Sequence, residues 1–417
     1  MSISYKTPAH FSSFSCLGGE CEDTCCRDWE VKLDKTHYGL LQTAMSSNEQ
    51  DNGLFRRHIH LNESMISGDH DYAFIGMAEN GYCGMLDEKG LCSIHDKYGT
   101  KPMGNVCTMF PRIISRCMDT IELSGALSCP EVVRNCIDDN TPLKFKRFKP
   151  ADLPRSKNYP IYRELSRDKE DFYSENFDLV RNVMMQIIGD EDKSLNTRLY
   201  TTANLAHKIS SFYHRDCNSD NQLVSALSSL TDHEHVSNLG HAIEGFEPDS
   251  SINMIVVHSI LSIKLQQSAD ENISVLYANI ISSLDADNNN IPGILADRLA
   301  GVSENMSEVN LKYIDKAVTR YILNCLYREW FVSMPEPFTY FQMLLVRVSI
   351  LRSLIYLDIL SRGDIELQSI KERLVYIMYN FARNVDQNLE FLKVVYNALS
   401  EQEMMNFDFS PSFIRVY

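Results

Sequence analysis

From Phe172 onward, apolar residues recur at three- and four-residue intervals, the period of a helix with one buried face. The pattern predicts helices over Phe172–Ile188, Leu199–Phe212, Ile252–Leu265 and Ile273–Leu284. It predicts longer ones over Asn310–Phe331, Phe338–Leu360 and Ile365–Val385, then a shorter one over Leu389–Leu399. Ser303 before Glu304, Pro335-Glu336 before Phe338 and Asp364 before Ile365 read as helix starts. Connections rich in Asp, Asn, Gly and Pro, such as Asp285–Gly293, separate the elements. Tyr313, Tyr321, Tyr327, Trp330 and Met343 fall at helical spacing and read as core. No fixed repeat period is present, so a solenoid is not predicted. The most apolar stretch, Phe341–Leu360, is interrupted by Arg347, Arg352 and Asp358. A membrane-spanning helix needs about 20 nearly charge-free residues, so this stretch is expected to be a buried helix.

The first third of the chain reads differently. Ten of the 12 cysteines lie at 16, 21, 25, 26, 83, 92, 107, 117, 129 and 136, leaving Cys217 and Cys325 beyond. Between the two regions run Pro142, Pro150, Pro154 and Pro160 with a basic cluster at Lys144, Lys146, Arg147 and Lys149, which suits a linker. The predicted fold is mainly α: a cysteine-rich metal-binding module over 1–140, a linker over 141–160, and a larger all-α helical domain over 161–417.

Charge narrows the partners. Of the 417 residues, 40 are Lys or Arg and 56 are Asp or Glu, a net of -16. Residues 1–150 carry 16 basic against 20 acidic side chains, and residues 151–417 carry 24 against 36. No basic face for nucleic acid is evident, and the field favours lysine-bearing partners. The opening residues, MSISYKTPAHFSSFSC, hold no apolar run of signal-peptide length. A cytoplasmic protein without membrane attachment is expected.

In a reducing compartment, dense cysteines point to metal binding or redox chemistry rather than structural disulfides. Cys16-x4-Cys21-x3-Cys25-Cys26 packs four thiols into eleven residues; Cys83-x8-Cys92, Cys107 and Cys129 follow. These eight are the candidate metal ligands, for an iron–sulfur cluster or for zinc. Gly18, Gly19, Gly81, Gly84 and Gly90 supply the backbone freedom such loops need. Cys117, Cys136, Cys217 and Cys325 read as small buried hydrophobes. His95, near Cys92, is a possible further ligand by spacing, though a hydrogen-bonded structural histidine is the commoner case. His233-Glu234-His235 sits on a polar, loop-like stretch and is expected to face solvent.

The blocks CEDTCCRDW, C-x8-C leading to SIHDKYG, CTMFPR and ALSCPEVVR, in that order, resemble the flagellin lysine N-methylase family. The first three also resemble, more distantly, CxxCC-type zinc- or iron-chelating domains. The resemblance covers residues 14–135, and the helical remainder carries no quotable motif. It implies an enzyme that moves a methyl group from S-adenosylmethionine to surface lysines of flagellin, with a metal site, a 4Fe–4S cluster or zinc, built from those cysteines. The wider chelating group usually has tyrosine where His95 stands here, and a shorter run than Asp96–Val106 before its next cysteine.

No G-x-G-x-x-G loop marks a cofactor site. Cys21-x3-Cys25 starts like the C-x3-C-x2-C motif of radical enzymes, but the third cysteine stands too early, at the very next position. Nor is there a G-x-S-x-G elbow, a phosphate loop or an H-E-x-x-H helix. Methyl transfer to lysine needs a neutral amine. Bringing a pKa near 10.4 down to working pH takes about 4 kcal/mol, from desolvation or a proton acceptor. Trp29, Asp87, Glu88, Tyr98 and Glu131 are near the motifs, and Asp87 and Glu88 in the MLDEKG turn are the preferred catalytic candidates. Arg112 and Arg134 read as partners for Glu131 or for a cofactor carboxylate. A redox protein with a cysteine-bound iron–sulfur cluster, and an interaction scaffold stabilised by zinc, stay open as alternatives.

Overall fold

The structure is a computed structural model that describes residues 3–27, 31–62, 68–79, 81–138, 144–157, 159–165, 172–213, 219–230, 232–247, 250–267, 272–283, 290–330 and 336–417. The chain divides into two compact units: 1–135 with 141–164, and 136–140 with 165–417.

The first unit holds two small sheets, which periodicity does not predict. In chain order its elements are β1 (Ser4–Pro8), α1 (Ala9–Ser12), β2 (Val31–Leu33), α2 (Lys35–Met45), α3 (Glu49–His58), β3 (Ile59–Leu61) and β4 (Ala73–Ile75). There follow α4 (Ser93–Tyr98), α5 (Asn105–Met109), β5 (Arg112–Cys117), β6 (Thr120–Gly125), α6 (Pro130–Ile137), β7 (Phe145–Arg147) and β8 (Arg163–Leu165). One sheet has the order β7-β1-β6-β5-β8. Its centre is the β5–β6 hairpin, pairing Arg112 with Gly125 through Cys117 with Thr120, turned at Met118 in the left-handed region (φ 51°). β1 joins β6 in parallel, Tyr5 opposite Ile121. A side chain on Gly125 would meet the Phe11 ring at 2.6 Å and Val132 at 2.7 Å, so only glycine lets them close over β6. The stretch read as a linker supplies the exposed edge strand β7, paired to β1.

The other sheet, β2-β4-β3, is antiparallel. Helices α2 and α3 start on side-chain caps: Asp34 accepts the His37 N–H, and Asn48 accepts those of Gln50 and Asp51. Leu33, Leu41, Met45, Phe55 and Ile75 form an apolar cluster that extends to Cys83, Met85 and Ile94. The cysteine loops therefore stand on a packed base.

In the second unit the described elements are helical: α7 (Phe172–Ile188), α8 (Leu195–Tyr213), α9 (Ser219–Ser228), α10 (His233–Glu244), α11 (Ser250–Gln267), α12 (Asn272–Ser282) and α13 (Ile291–Ala300). After them come α14 (Val302–Asn305), α15 (Glu308–Arg328), α16 (Pro337–Arg362), α17 (Leu367–Phe381), α18 (Leu389–Glu401) and α19 (Ser410–Ile414). Every helix expected from periodicity is present. Ser307, not Ser303, caps α15, accepting the Asn310 N–H. Helix α16 is buried from Pro337 to Ile359 except at Thr339, and α8, α13, α15 and α17 pack on it as an axis. Its charges are satisfied internally: Arg352 donates to the Ile414 carbonyl at 2.6 Å, and Asp358 pairs with Arg362 and Arg373 at 2.9 and 2.8 Å. Among the described residues no helix is long and apolar enough to cross a membrane.

Candidate functional site

The run from Cys16 to Cys26 is a glycine-turned loop held at both ends. Gly18 takes a left-handed φ of 59° and its N–H points to the Cys16 sulfur at 3.4 Å. Glu22, next to Cys21, is ion-paired with Arg134 on α6, the helix that Cys129 precedes. Arg134 also pairs with Glu131 one turn back. At the other end, the Arg27 guanidinium lies over the Tyr82 ring at 5.3 Å, and the Cys83 N–H donates to the Cys26 carbonyl at 2.8 Å. The Cys25 and Cys26 sulfurs are 4.0 Å apart.

The Cys83–Cys92 segment is a second glycine-turned loop, with Gly81 and Gly90 at φ 78° and 73°. Asp87 builds it: its Oδ1 accepts the Lys89 and Leu91 N–H groups at 2.9 and 2.8 Å. Glu88 beside it is exposed. A side chain on Gly84 would lie 2.1 Å from His58 Nδ1, so the loop sits directly on the end of α3. Cys26, Cys92 and Cys107 pack against the apolar cluster that contains Cys83.

The electrostatics sort the thiols by neighbourhood. Burial pushes Cys107 far up, and the charges of Cys92, Cys83 and Cys25 push it further. Cys83 is raised by burial and then by Cys92 and Cys25. Cys129 is raised to about 12, by burial first, with Cys21 and Cys25 adding to it. Burial also raises Cys21, helped by Glu22, Cys16 and Cys25. The Arg112 guanidinium is lowered by burial and supported by Cys16 and Cys129, and it stacks 5.1 Å from the Phe14 ring centre. Desolvated thiols of this kind ionise when a cation takes the place of the proton, so the donor chemistry fits a thiolate-bound metal. Among the described residues no three of these sulfurs lie within 4.8 Å of one another; a lone zinc tetrahedron sets sulfurs about 3.8 Å apart at its usual ~2.3 Å bonds.

The other candidates divide. Tyr98 is committed elsewhere: its hydroxyl donates to Asp51 at 2.6 Å, which raises its pKa to about 12, and Lys97 pairs with the same carboxylate at 2.6 Å. Glu131 and Arg134 form the ion pair their spacing suggests. His95 is exposed on α4. Cys117, Cys136 and Cys325 are buried. Trp29 and Cys217 lie outside the described residues. His233-Glu234-His235 opens helix α10 rather than a loop, with Asp232 as its cap, and His235 Nε2 is 3.1 Å from Lys208 Nζ.

Periodicity passes over one buried polar centre in the helical unit. Arg347 on α16 bonds both oxygens of Glu329, at 3.1 and 2.7 Å, and reaches Asp386 at 3.4 Å. Asp386 ends a π-helical turn, Ala382–Asp386, and accepts the Tyr321 hydroxyl at 2.6 Å; such turns often mark functional positions. Tyr340 donates to Glu329 at 3.2 Å. The signal for it in the sequence is an arginine within an otherwise apolar run.

Residues 181–410 match the FliB lysine N-methylase C-terminal domain. The chain is 29% identical over 143 residues to a lysine-N-methylase of Salmonella choleraesuis (strain SC-B67), covering 33% of each. It is equally similar over the same length to the flagellar biosynthetic protein FliU of Salmonella muenchen, covering 79% of that protein, and to a lysine-N-methylase of Salmonella typhimurium, covering 33% of it. The alignments thus span about a third of the two methylases. No solved structure matches the chain.

Proposed function

The chain belongs to the FliB lysine N-methylase family, and on that premise we propose that it is a protein-lysine N-methyltransferase that uses S-adenosylmethionine and modifies surface lysines of flagellin in the cytoplasm. The observation that carries this reading is the family match across residues 181–410. The methylase relatives and the flagellar name of FliU support the substrate class. S-adenosylmethionine supplies a methyl carbon already activated on a sulfonium, so an in-line displacement by the lysine amine suffices. The nitrogen–carbon bond forms as the carbon–sulfur bond breaks, the sulfur keeps its electron pair as a thioether, and the amine loses one proton.

The chain's own task is to bind the lysine neutral and aligned. Glu88 and the second oxygen of Asp87 stand on the cysteine-bounded loop, where they accept that proton. Four of the thiols of Cys16, Cys21, Cys25, Cys26, Cys83, Cys92, Cys107 and Cys129 would hold a metal centre, a 4Fe–4S cluster or zinc, and the centre would fix these loops. The acidic surface draws the cationic substrate toward the enzyme.

Asp87→Asn and Glu88→Gln test the base assignment. Asparagine still accepts the two N–H groups that shape the turn, so a fall in kcat with a shifted pH profile in either folded variant supports proton acceptance. Unchanged profiles in both variants and in the double variant remove these carboxylates from the mechanism. Transfer of labelled methyl from S-adenosylmethionine to flagellin lysine tests the function itself, and no transfer by metal-loaded protein overturns it.

A further inference from the structure

Several enclosed acids of this chain are closed on a cation: Asp51 on Lys97 at 2.6 Å, Glu329 on Arg347 at 2.7 Å and Asp358 on Arg373 at 2.8 Å. Asp315, half-buried on α15, is not. Its carboxylate receives the Tyr356 hydroxyl at 3.5 Å, long for such a bond, and among the described residues no ion pair closes on it. Two cations nevertheless act on its charge, Arg352 of α16 and Arg198 of α8. Each is anchored on other oxygens. Arg198 donates to the Ile188 carbonyl at 2.5 Å and to Thr319 Oγ1 at 2.9 Å. Arg352 Nη1 donates to the Ile414 carbonyl at 2.6 Å and to Asn196 Oδ1 at 3.2 Å. Arg352 is 2% exposed, and its Nε is buried with no hydrogen-bond partner among the described residues. Its guanidinium lies 5.7 Å from the centre of the Tyr417 ring. That ring meets Tyr356 edge-on at 4.9 Å, with the two hydroxyls 3.3 Å apart. Burial pushes the Asp315 carboxyl up, and Arg352, Arg198 and Tyr356 pull it back only in part. A carboxylate and a guanidinium thus border one tyrosine pair without closing on each other.

We propose that Asp315, Arg352 and the Tyr356–Tyr417 pair form a site for an α-amino-acid head group, with its ammonium on Asp315 and its carboxylate on Arg352, and that the molecule carrying this head is the methyl donor. This deepens the proposed function, on whose use of S-adenosylmethionine it rests. The chemistry of the site selects a ligand with both charges. An anion alone would meet the Asp315 carboxylate, and a cation alone would meet two guanidiniums. Either would leave a charge uncompensated in partly buried surroundings, where that is costly. An α-amino acid places an ammonium and a carboxylate on one carbon and satisfies both. A lysine inside a protein chain has neither group, because peptide bonds consume them, so the protein substrate is not the occupant. S-adenosylmethionine keeps both. Arg198 is a positioning residue here: it holds Thr319 Oγ1, which in turn donates to the Asp315 backbone carbonyl at 2.7 Å.

The test is calorimetric titration of the full-length chain, prepared without oxygen, with S-adenosylmethionine, decarboxylated S-adenosylmethionine and free methionine. Wild-type protein should bind S-adenosylmethionine about tenfold or more tightly than the decarboxylated form. Arg352→Gln should lose that preference and bind the two alike. Asp315→Asn should weaken both by about tenfold or more, since both carry the ammonium. A substitution that only loosens the fold weakens both probes together, so a preference that survives in folded Arg352→Gln overturns the assignment. Far-UV circular dichroism identifies a variant that has failed to fold; Arg352→Met then replaces Arg352→Gln, and Asp315→Asn tests the ammonium side independently. Variants that bind all three probes as the wild type does would mean that water alone bridges these charges, and would overturn the site while leaving the proposed function standing. Losses confined to methionine would assign the site to a free amino acid and overturn its assignment to the methyl donor. Wild-type protein that binds none of the three overturns the site and also removes S-adenosylmethionine from the proposed function.

Discussion

Replacing Arg347 by Met takes the bonded cation from Asp386 and one of two from Glu329, which also pairs with Arg328 at 2.6 Å, and both carboxylates have little access to bulk water. Glu329 is 15% exposed and Asp386 0%, and Arg347 itself is 5%. Burial pushes the Asp386 carboxyl upward while Arg347 and the Tyr321 hydroxyl pull it back. Without the guanidinium, Tyr321 still donates to Asp386 at 2.6 Å, and Tyr340 and Arg328 to Glu329 at 3.2 and 2.6 Å, so Glu329 keeps one cation while Asp386 loses the one bonded to it. Removing one partner of a buried ion pair costs about 3–5 kcal/mol. With a urea dependence of about 3 kcal/mol per molar for a unit of this size, the midpoint should fall by about 1–1.7 M. Trp330 is the reporter: it is 5% exposed and its ring lies 5.4 Å from Phe177. Trp29→Phe removes the second of the chain's two tryptophans, so fluorescence follows the helical unit alone. Neutralising the carboxylate that loses its bonded cation, with Asp386→Asn, should recover part of the loss, whereas Glu329→Gln should add to it because Arg328 pairs with that carboxylate. A change below about 1 kcal/mol for Arg347→Met would refute the view that this centre is a tightly coupled ionic core.

Three further outcomes follow from the geometry. Asp51 lies below the usual carboxylate range because Lys97 and Tyr98 bond its charged form; its contribution is complete above the unfolded value and lost as pH falls through the folded one. Asp51→Asn should therefore cost about 1–3 kcal/mol near neutrality and flatten the acid limb of the stability curve, whereas an unaltered limb contradicts the assignment. Gly84→Ala drives a methyl group onto His58 and should destabilise the first unit by about 1–3 kcal/mol, with His58→Ala restoring part of it; a neutral effect on thermal unfolding would mean the loop is free to move. Initial methylation rates should fall as salt rises if the acidic surface steers the substrate, and salt-independent rates would dismiss steering.

The helical unit is the legible part because its apolar stripe persists over several turns. The Phe172–Ile188 expectation coincides with α7, and Phe338–Leu360 falls within α16. Helices α9, α10 and α13 are not distinguished by periodicity: α10 starts on His233-Glu234-His235, and α13 has Pro292 and Gly293 in its first turn. Several strands of the first unit run for only three residues, as in β2, β3, β4 and β7, too short to display a period of two. What holds them is contact with distant segments, such as Val31 and Ile59 both facing Ile75. For the cysteines, spacing picks out candidate donors but not which of them lie near one another. Cys129 is 104 positions from Cys25 and Cys107 is 24 positions from Cys83, and only folding shows which neighbours each one meets. The Asp87 turn is legible as a turn, whereas the use of Tyr98 by Asp51 is not, since the two are 47 positions apart.

Methyl transfer to lysine is the activity proposed for this chain. Oxygen-free protein, assayed for iron, zinc and sulfide and then incubated with flagellin and methyl-labelled S-adenosylmethionine, tests it most directly. Label is expected on flagellin lysine side chains from protein that carries metal. Metal-loaded, folded protein that leaves flagellin unlabelled would contradict it, and iron with acid-labile sulfide in that same preparation would turn the reading to redox chemistry.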